Sequence, residues 1–545
     1  MKFRNKKPVL KISVIAAVFA VLPLLAFGQQ VDTVIFPDNF KTTLDYQNKI
    51  GKTLFFNQTL VVTDNSQWQR YGEIKLSSFR LPSPTDAAVP NSTDYQAIVS
   101  NNAINWIYLD DGSSATYPIP LPFADSDGTR RTGSRVNNLL ATLNRVGSLW
   151  LLYPVKSNPP VFYGNPRPTS PQVAEDYNIK VCSFNLEYYL ASNYGQGYGA
   201  DNEQQAQVQH NKILKALMAI DADIYGLVEV QTGQEAIQKL CNAMNAAAGI
   251  NRYAFINDGS TTNGTFVKVG FIYRTDKVSI VGQLFSNNTG VQQRKKAQCF
   301  QLKQNNEKFV FSINHFKAKS GTTSDPQGGY NSDRVTEAKS VISGIPSYTN
   351  GCKDNDVLVM GDLNAYSEED PLREFYNKGF TNLLKQQNDS AYSYVYQGLA
   401  GCLDHALANT SLLPQVASAT VFHINADEPS MFEYQNAGTV QNNMYRCSDH
   451  DAVVVTLHLG TYSDTVNPAN NDIIVAKISN NSFVVKNAEK QWITIYDAAG
   501  KQLLHKFIKE KEQYFDISSI FQNGTCIIIL DDMISPKVKF FKLVF

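Results

Sequence analysis

Cysteine is scarce, with seven in 545 residues, and the odd count at low density excludes a scaffold built on disulfides. No CxxC pair and no HExxH occurs, which leaves a zinc site without support. Neither sign of charge dominates, since Lys+Arg and Asp+Glu both total 49. A polybasic or histone-like binder is therefore excluded, and any affinity for nucleic acid must come from a local basic groove or from metal ions. After the first thirty residues no run of eighteen apolar residues follows, so the mature chain is not expected to insert stably into a membrane. What is present suits large buried cores: 43% hydrophobic and 11% aromatic residues, too rich for a disordered chain. At roughly 150 residues per domain, the length predicts three or four modules.

The amino terminus reads as an address. Lys2, Arg4, Lys6, Lys7 and Lys11 precede the apolar run Ile12 to Phe27, and Ala26-Phe27-Gly28 supplies a small-x-small cleavage pattern. Residues 1–28 are thus expected to be a signal peptide, and the protein to be secreted or displayed at the cell surface. The alternative, an uncleaved anchor, fits less well because the run is shorter than a typical ~20-residue span and is broken at Pro23.

Residues 29–160 read as β-structure. Thr53–Phe56 and Thr59–Thr63 are expected as two strands separated by Asn57-Gln58, followed by strands at Glu73–Ser77, Trp106–Leu109 and Leu149–Tyr153. Helical spacing occurs only over Val136–Leu143. Short strands at this spacing suggest a small barrel, and their order resembles an OB-fold. Tyr71-Gly-Glu-Ile and Leu109-Asp-Asp-Gly resemble the N-terminal domain of bacterial extracellular nucleases. On that reading Phe55, Phe56, Trp68 and Tyr71 are candidates for stacking on bases, or else core residues.

A Pro-rich segment, 161–176, reads as an extended linker. Residues 177–460 alternate strand and helix, with a helix over Glu203–Ile220, another over Ser332–Ile342, and strands at Ile179–Phe184, Asp223–Val228, Lys308–Asn314, Val357–Met360 and Ala452–Leu457. That pattern is an α/β domain. A polar linker, 461–471, leads to a second β-module over 472–545, a small sandwich with a turn at Asp497-Ala-Ala-Gly500. Ile495-Tyr-Asp-x-x-Gly-Lys501 and the final Lys-Leu-Val resemble the C-terminal sorting domain of the type IX secretion system, which implies the secretion machinery as a partner. A carbohydrate-binding or adhesive sandwich is the alternative.

Five polar clusters fall at predicted strand ends of the α/β domain: Asn185 with Glu187, Glu229, Asn314 with His315, Asp362 with Asn364, and Asp449 with His450. A sixth, Asp404 with His405, lies in a short strand. Ligands of open α/β sheets gather beyond strand ends, so these side chains are expected to converge. Carboxylates and amides outnumber thiolates, which suits a hard cation, Mg²⁺ with Mn²⁺ or Ca²⁺ as alternatives.

Val228-Glu229-Val-Gln, Gly361-Asp-Leu-Asn-Ala365, Leu403-Asp-His and Ser448-Asp-His-Asp451 resemble, in order, the motif series of the endonuclease/exonuclease/phosphatase superfamily. The resemblance covers about half the chain and implies a four-layer α/β sandwich of two sheets flanked by helices. It also implies roles. Glu229 binds the divalent ion with Asp449 nearby, and Asn185 positions phosphate and helps hold the metal's water shell. Asp362 orients or deprotonates the attacking water, and Asn364 supports it. His450 contacts the scissile phosphate, and Asp404 fixes its tautomer. His315 assists the leaving group. Thr265 stands where some family nucleases carry an acid that supports this second histidine, so His315 is expected to lack a carboxylate partner. Arg294, Lys317, Lys319 and Arg334 are candidates to line a phosphate groove.

Cys402 and Cys447 each sit two residues before an Asp and three before a His. If those segments are neighbours, the two sulfurs form either a bridge or two small buried thiols. The activity implied is hydrolysis of phosphodiester bonds in nucleic acid, DNA in the first instance and RNA in the second. Alternatives on the same fold are a sphingomyelinase-type phospholipase and a sugar-phosphate phosphatase; a non-catalytic surface binding protein is the third.

Overall fold

The structure is a computed structural model that describes residues 31–264, 266–287, 294–436, 438–460, 474–479, 482–486, 491–497, 501–509, 512–516, 525–532 and 539–544. The expected signal peptide 1–28, the linker 461–471, Thr265 and the turn at 498–500 lie outside the described residues. The chain is a mixed α/β protein that divides into two units, Met1–Gly460 and Thr461–Phe545.

The first unit opens with strands that close on themselves. Thr53–Asp64 pairs with Ile74–Ser77, which pairs with Ile107–Leu109; this strand pairs in parallel with Leu149–Pro154. Leu149–Pro154 pairs with Arg135–Val146, which returns to Thr53–Asp64. The ring encloses a core that includes Leu54, Phe56, Leu60, Trp68, Leu76 and Leu152.

Two expectations for this region are corrected, and the stacking-or-core alternative is decided for two residues. Thr53–Asp64 is one strand, because Asn57 and Gln58 form an irregularity in the pairing and leave the strand unbroken. Val136–Leu143 is strand, not helix. Its spacing of buried residues comes from Asn138, whose φ of 51° sits at a register shift opposite Phe56 and Thr59 and resets the inside–outside alternation. Of the four proposed stacking residues, Phe56 and Trp68 are fully buried in the core, and Trp68 Nε1 donates to Pro122 O at 2.6 Å. A helix at Thr93–Ile104 has no counterpart in the sequence reading; only Asn102 of it is buried, so it shows no apolar stripe.

The Pro-rich segment is packed rather than free. Arg167 donates to both carboxylate oxygens of Glu428, at 2.9 and 2.6 Å.

Two six-stranded sheets follow, in the order Tyr253–Phe255, Val267–Arg274, Ile224–Gln231, Ile179–Tyr189, Ala452–Leu457, Val416–Phe422, and Val278–Ser286, Lys295–Leu302, Lys308–His315, Val357–Asp362, Asp404–Ala408, Thr381–Asn382. They share one core, in which Val181, Val228 and Val453 meet Phe311, Leu358 and Ala406. On the outer face of the first sheet the helices Glu203–Ile220 and Glu235–Ala248 bury Ile213, Leu217, Ile237 and Leu240. The first of these helices forms as the sequence predicts, with Asn202 accepting from Gln205 N as N-cap. On the second sheet the helix Asn331–Cys352 packs through Ala338 and Val341. It runs ten residues beyond the expected end at Ile342, passing through Pro346. Each sheet has a parallel pair at its centre: Ile179–Tyr189 with Ile224–Gln231, and Lys308–His315 with Val357–Asp362.

Cys299 and Cys352 are joined, tying an inner strand to the end of that helix. Cys402 and Cys447 are free and buried, which settles their pair of readings in favour of two thiols. The second unit consists of a three-stranded sheet (Ile474–Ser479, Ser482–Lys486, Glu512–Asp516) and a four-stranded one (Gln502–Phe507, Gln491–Asp497, Thr525–Asp532, Lys539–Val544). No helix among the described residues is long and apolar enough to cross a membrane.

Candidate active site

The two central parallel pairs end side by side, and the side chains at those ends meet. Asp362 is the hub. Its Oδ2 accepts from Asn185 Nδ2 at 3.1 Å and Asn364 Nδ2 at 3.3 Å, and its Oδ1 from Asn364 N at 2.8 Å. His315 Nε2 stands 3.7 Å and His450 Nε2 4.0 Å from the same Oδ2. Gly361 makes this approach possible: its φ is 129°, and a Cβ there would stand 2.0 Å from Asn314 O.

His450 Nδ1 donates to Asp404 Oδ2 at 2.7 Å, and Ser393 Oγ donates to the same oxygen at 2.8 Å. The imidazole is stacked on Tyr394 with ring centroids 4.6 Å apart, and its carbonyl accepts from Asn425 Nδ2 at 2.6 Å. Held on one face, at Nδ1 and at the backbone, His450 presents Nε2 to Asp362 and Asp449.

Glu229 enters from the first sheet. Tyr188 N donates to its Oε2 at 3.0 Å, and His315 Nε2 lies 3.5 Å from its Oε1. Glu187, Tyr188, Glu229 and Asn364 all have φ between 47° and 61°, a left-handed backbone that non-glycine residues seldom adopt. A register shift between Asn185 and Tyr189 accompanies it. The backbone irregularity at these strand ends aims the carboxylates.

Burial sets the proton affinities. It lifts Glu229, with Asp449 reinforcing the effect. Asp362 is raised to about 7, first by burial and then by Asp404, against the opposing pull of His450. Burial alone would discharge His450, but Asp404, Asp449 and Asp362 outweigh it and hold the ring well above its ordinary value. His315 goes the other way, driven down by burial and by Arg294, and stays neutral. Its Nδ1 is buried without a hydrogen-bond partner among the described residues.

The donors fit a hard cation. Asp362, Asp404 and His450 bring one ligand atom each within 4.8 Å of one another. A cationic His450 already bonded to Asp404 is a poor ligand, however, and the better set is carboxylate: Glu229, Asp449 and Glu187. Burial and Asp449 raise Glu187 well above its usual range, and its Oε2 is buried with no partner among the described residues. A divalent ion would relieve both penalties.

The six catalytic candidates Asn185, His315, Asp362, Asn364, Asp404 and His450 are therefore brought together with Glu229 and Asp449. Of the four cations, Arg294 stands with them and acts on Glu229 and His315, whereas Lys319 and Arg334 are held elsewhere. Arg294 stays near, its carbonyl accepting from His315 N at 2.8 Å, and Lys317 lies over the Tyr330 ring, 4.7 Å from its centroid. Lys319 is spent on Glu369, donating to both oxygens at 2.7 and 2.6 Å. Arg334 is fully buried and donates to the carbonyls of Gln327 and Gly329 at 2.8 and 2.7 Å. The chain leaves the sheet after His315, so Lys317 and Lys319 do not extend a strand face along a groove. Tyr394 and Ser393 carry no motif, and reach His450 and Asp404 respectively only through the fold. Glu187 neighbours Asn185 in the sequence, and the fold sets it beside Asp449 and Glu229.

Residues 182–450 match the Endonuclease/Exonuclease/phosphatase family. Among curated proteins none matches the chain. The human Nocturnin catalytic domain with bound sulfate anion is 16% identical, covering 53% of this chain and 98% of its own, with a TM-score of 0.37. An endonuclease/exonuclease/phosphatase family protein from Bacteroides thetaiotaomicron is 18% identical, with 54% and 100% covered and a TM-score of 0.37. D. rerio TDP2 complexed with single strand DNA product is 14% identical, with 51% and 98% covered and a TM-score of 0.35.

Proposed function

Residues 182–450 being a domain of the endonuclease/exonuclease/phosphatase family, whose members are hydrolytic phosphoesterases, we propose that the protein is an exported, divalent-metal-dependent nuclease acting on DNA. The observation that carries this reading is the His450–Asp404 couple facing Asp362 across 4.0 Å, with Glu229 and Asn185 on the same hub.

In this reading Glu229, Asp449 and Glu187 would hold Mg²⁺, which when bound would supply positive charge to offset that on the phosphate oxygens. Asp362, with a proton affinity near neutrality, takes the proton of the attacking water as its oxygen bonds to phosphorus. Asn185 and Asn364 fix that carboxylate. The phosphorus–oxygen bond opposite breaks, and the cationic His450 supplies a proton to the departing oxygen. Asp404 keeps Nδ1 protonated and Nε2 aimed at the reacting group, the orienting role familiar from catalytic triads. His315, neutral and without a carboxylate on Nδ1, serves as a hydrogen-bonding wall between Glu229 and Asp362.

The family's four-layer sandwich is our reading of the two helix-backed sheets, and the closed five-strand ring supports the OB-type reading of residues 29–160. Export rests on the leader sequence, and a type IX sorting role for 472–545 on its terminal motifs.

The test is incubation of purified protein with plasmid DNA, RNA and sphingomyelin, in Mg²⁺ or in EDTA. We expect plasmid degradation that EDTA abolishes and that Glu229→Gln or His450→Ala reduces at least about 10²-fold. Lipid turnover without nucleic-acid cleavage would transfer the activity to the phospholipase alternative, and no turnover of any phosphate ester would refute the enzyme reading.

A further inference from the structure

With the charges of the chain cancelling overall, a nucleic-acid strand needs a local surface that carries cations and no carboxylates. The N-terminal strands have one. A cavity of about 610 Å³ opens across Thr59 and Arg135 of neighbouring strands and the Phe79–Arg80 turn, with Asn165 on its edge; no acidic residue lines it.

Its walls are built. Arg80 is fixed: its Nη1 donates to Asp427 Oδ1 at 2.8 Å, and its guanidinium lies over the Tyr392 ring, 4.3 Å from the centroid. Gly133, at φ 82°, leaves room for it, since a Cβ there would stand 1.9 Å from Nη2. Arg135, in contrast, is exposed. Phe79 is 47% exposed although its backbone is anchored, Ser77 Oγ donating to its carbonyl at 2.6 Å. Tyr163 pairs in register with Arg135, is 43% exposed and donates to Asn137 at 2.8 Å. One wall of the groove is linked by contacts to the candidate active site. Arg80 covers Tyr392, the next residue Ser393 bonds Asp404, and the next again, Tyr394, stacks on His450.

We propose that this groove is an exosite for an unpaired nucleic-acid strand, with Arg135 taking a backbone phosphate and Phe79 the face of a base, on the part of the substrate beyond the bond being cut. The inference rests on the nuclease reading and adds a substrate class to it. A duplex keeps its base faces stacked internally and offers Phe79 nothing; a single strand offers every base.

The full-length protein in EDTA is titrated with a fluorescent oligothymidylate of about 20 nucleotides, long enough to span more than one site. Phe79→Ala and Arg135→Ala are each expected to weaken binding about tenfold, the size of one lost stacking or phosphate contact. Arg135→Ala should also lower the slope of log affinity against log salt by about 0.7. Both side chains are exposed, so melting temperatures should not change. In Mg²⁺ both variants should hydrolyse bis(4-nitrophenyl) phosphate like the wild type, while KM for the long single strand rises and kcat does not. Wild-type binding by both variants, or an equal loss on duplex DNA, overturns the exosite. Oligonucleotide bound but never cut overturns the nuclease reading and leaves the exosite standing; strand cut with unchanged KM by both variants does the reverse.

Discussion

At the scale of single residues the candidate site turns on one hydrogen bond, His450 Nδ1 to Asp404 Oδ2. Replacing Asp404 with Asn keeps the shape but removes the charge that holds the imidazole cationic, and it frees the other tautomer. We expect kcat on plasmid DNA to fall by about 10³-fold with KM nearly unchanged, within the range of lost acid–base assistance. Single-turnover kinetics at saturating substrate would check this; a loss under about threefold would remove Asp404 from the site. The residues of this couple were legible because Asp404, Asp362 and His450 sit in short motifs at strand ends, where few structural demands call for paired acids and histidines. Tyr394 and Ser393 were not legible. A tyrosine stacked on a histidine far along the chain leaves no local spacing, only a tertiary contact. Lys319 and Arg334 were not legible for a related reason: a lysine or arginine near a motif reads the same whether it faces substrate or, like these two, closes a buried contact.

At the scale of elements, the site depends on strands that end in irregular backbone. Gly361 lets the Val357–Asp362 strand pass against Asn314 in a region of φ that a side chain rarely adopts. Gly361→Ala combines backbone strain with a clash against main chain, each worth about 1–3 kcal/mol. Urea unfolding should therefore show a loss of about 3 kcal/mol or more, and a loss below about 1 kcal/mol would contradict the close approach. Elements were legible where periodicity and caps agreed, as in Glu203–Ile220 with its Asn202 cap. Arg135–Val146 misled because one left-handed residue, Asn138, shifts the alternation, so that Val136, Leu139 and Leu143 are buried at a spacing that mimics a helix. The shift is set jointly with the partner strand, where Asn57 and Gln58 stand against Asn138, and the sequence of Arg135–Val146 alone does not announce it.

At the scale of the molecule, the N-terminal strands and the α/β region are joined through buried charge. Asp427 accepts from Arg80, Thr132 and Asn165 at 2.8, 2.6 and 2.8 Å, and Glu428 from Arg131 and Thr129 at 2.9 and 3.0 Å. The balance of 49 positive and 49 negative side chains gives no hint of this pairing, which only long-range contact creates. The same loop reaches the candidate site, because Asp451, next to His450, accepts from the backbone of Asn425 and Ala426 at 2.7 and 3.1 Å. Burial alone would raise the Asp427 carboxyl, but Arg80 and Arg131 outweigh it and hold the group well below its ordinary value. A carboxyl depressed on folding contributes stability that is complete above the unfolded value of about 3.9 and is lost as pH falls below it. Asp427→Asn removes that contribution, leaves the half-buried Arg80 without its carboxylate and leaves Arg131 with Glu428 alone, at a cost of about 3 kcal/mol near neutral pH. Melting curves of wild type and variant should therefore lie far apart at pH 7 and approach each other in acid, as the wild-type carboxyl is protonated. A gap that stays constant between those conditions would mean that Asp427 stabilises the junction by shape and hydrogen bonding, with no contribution from its charge.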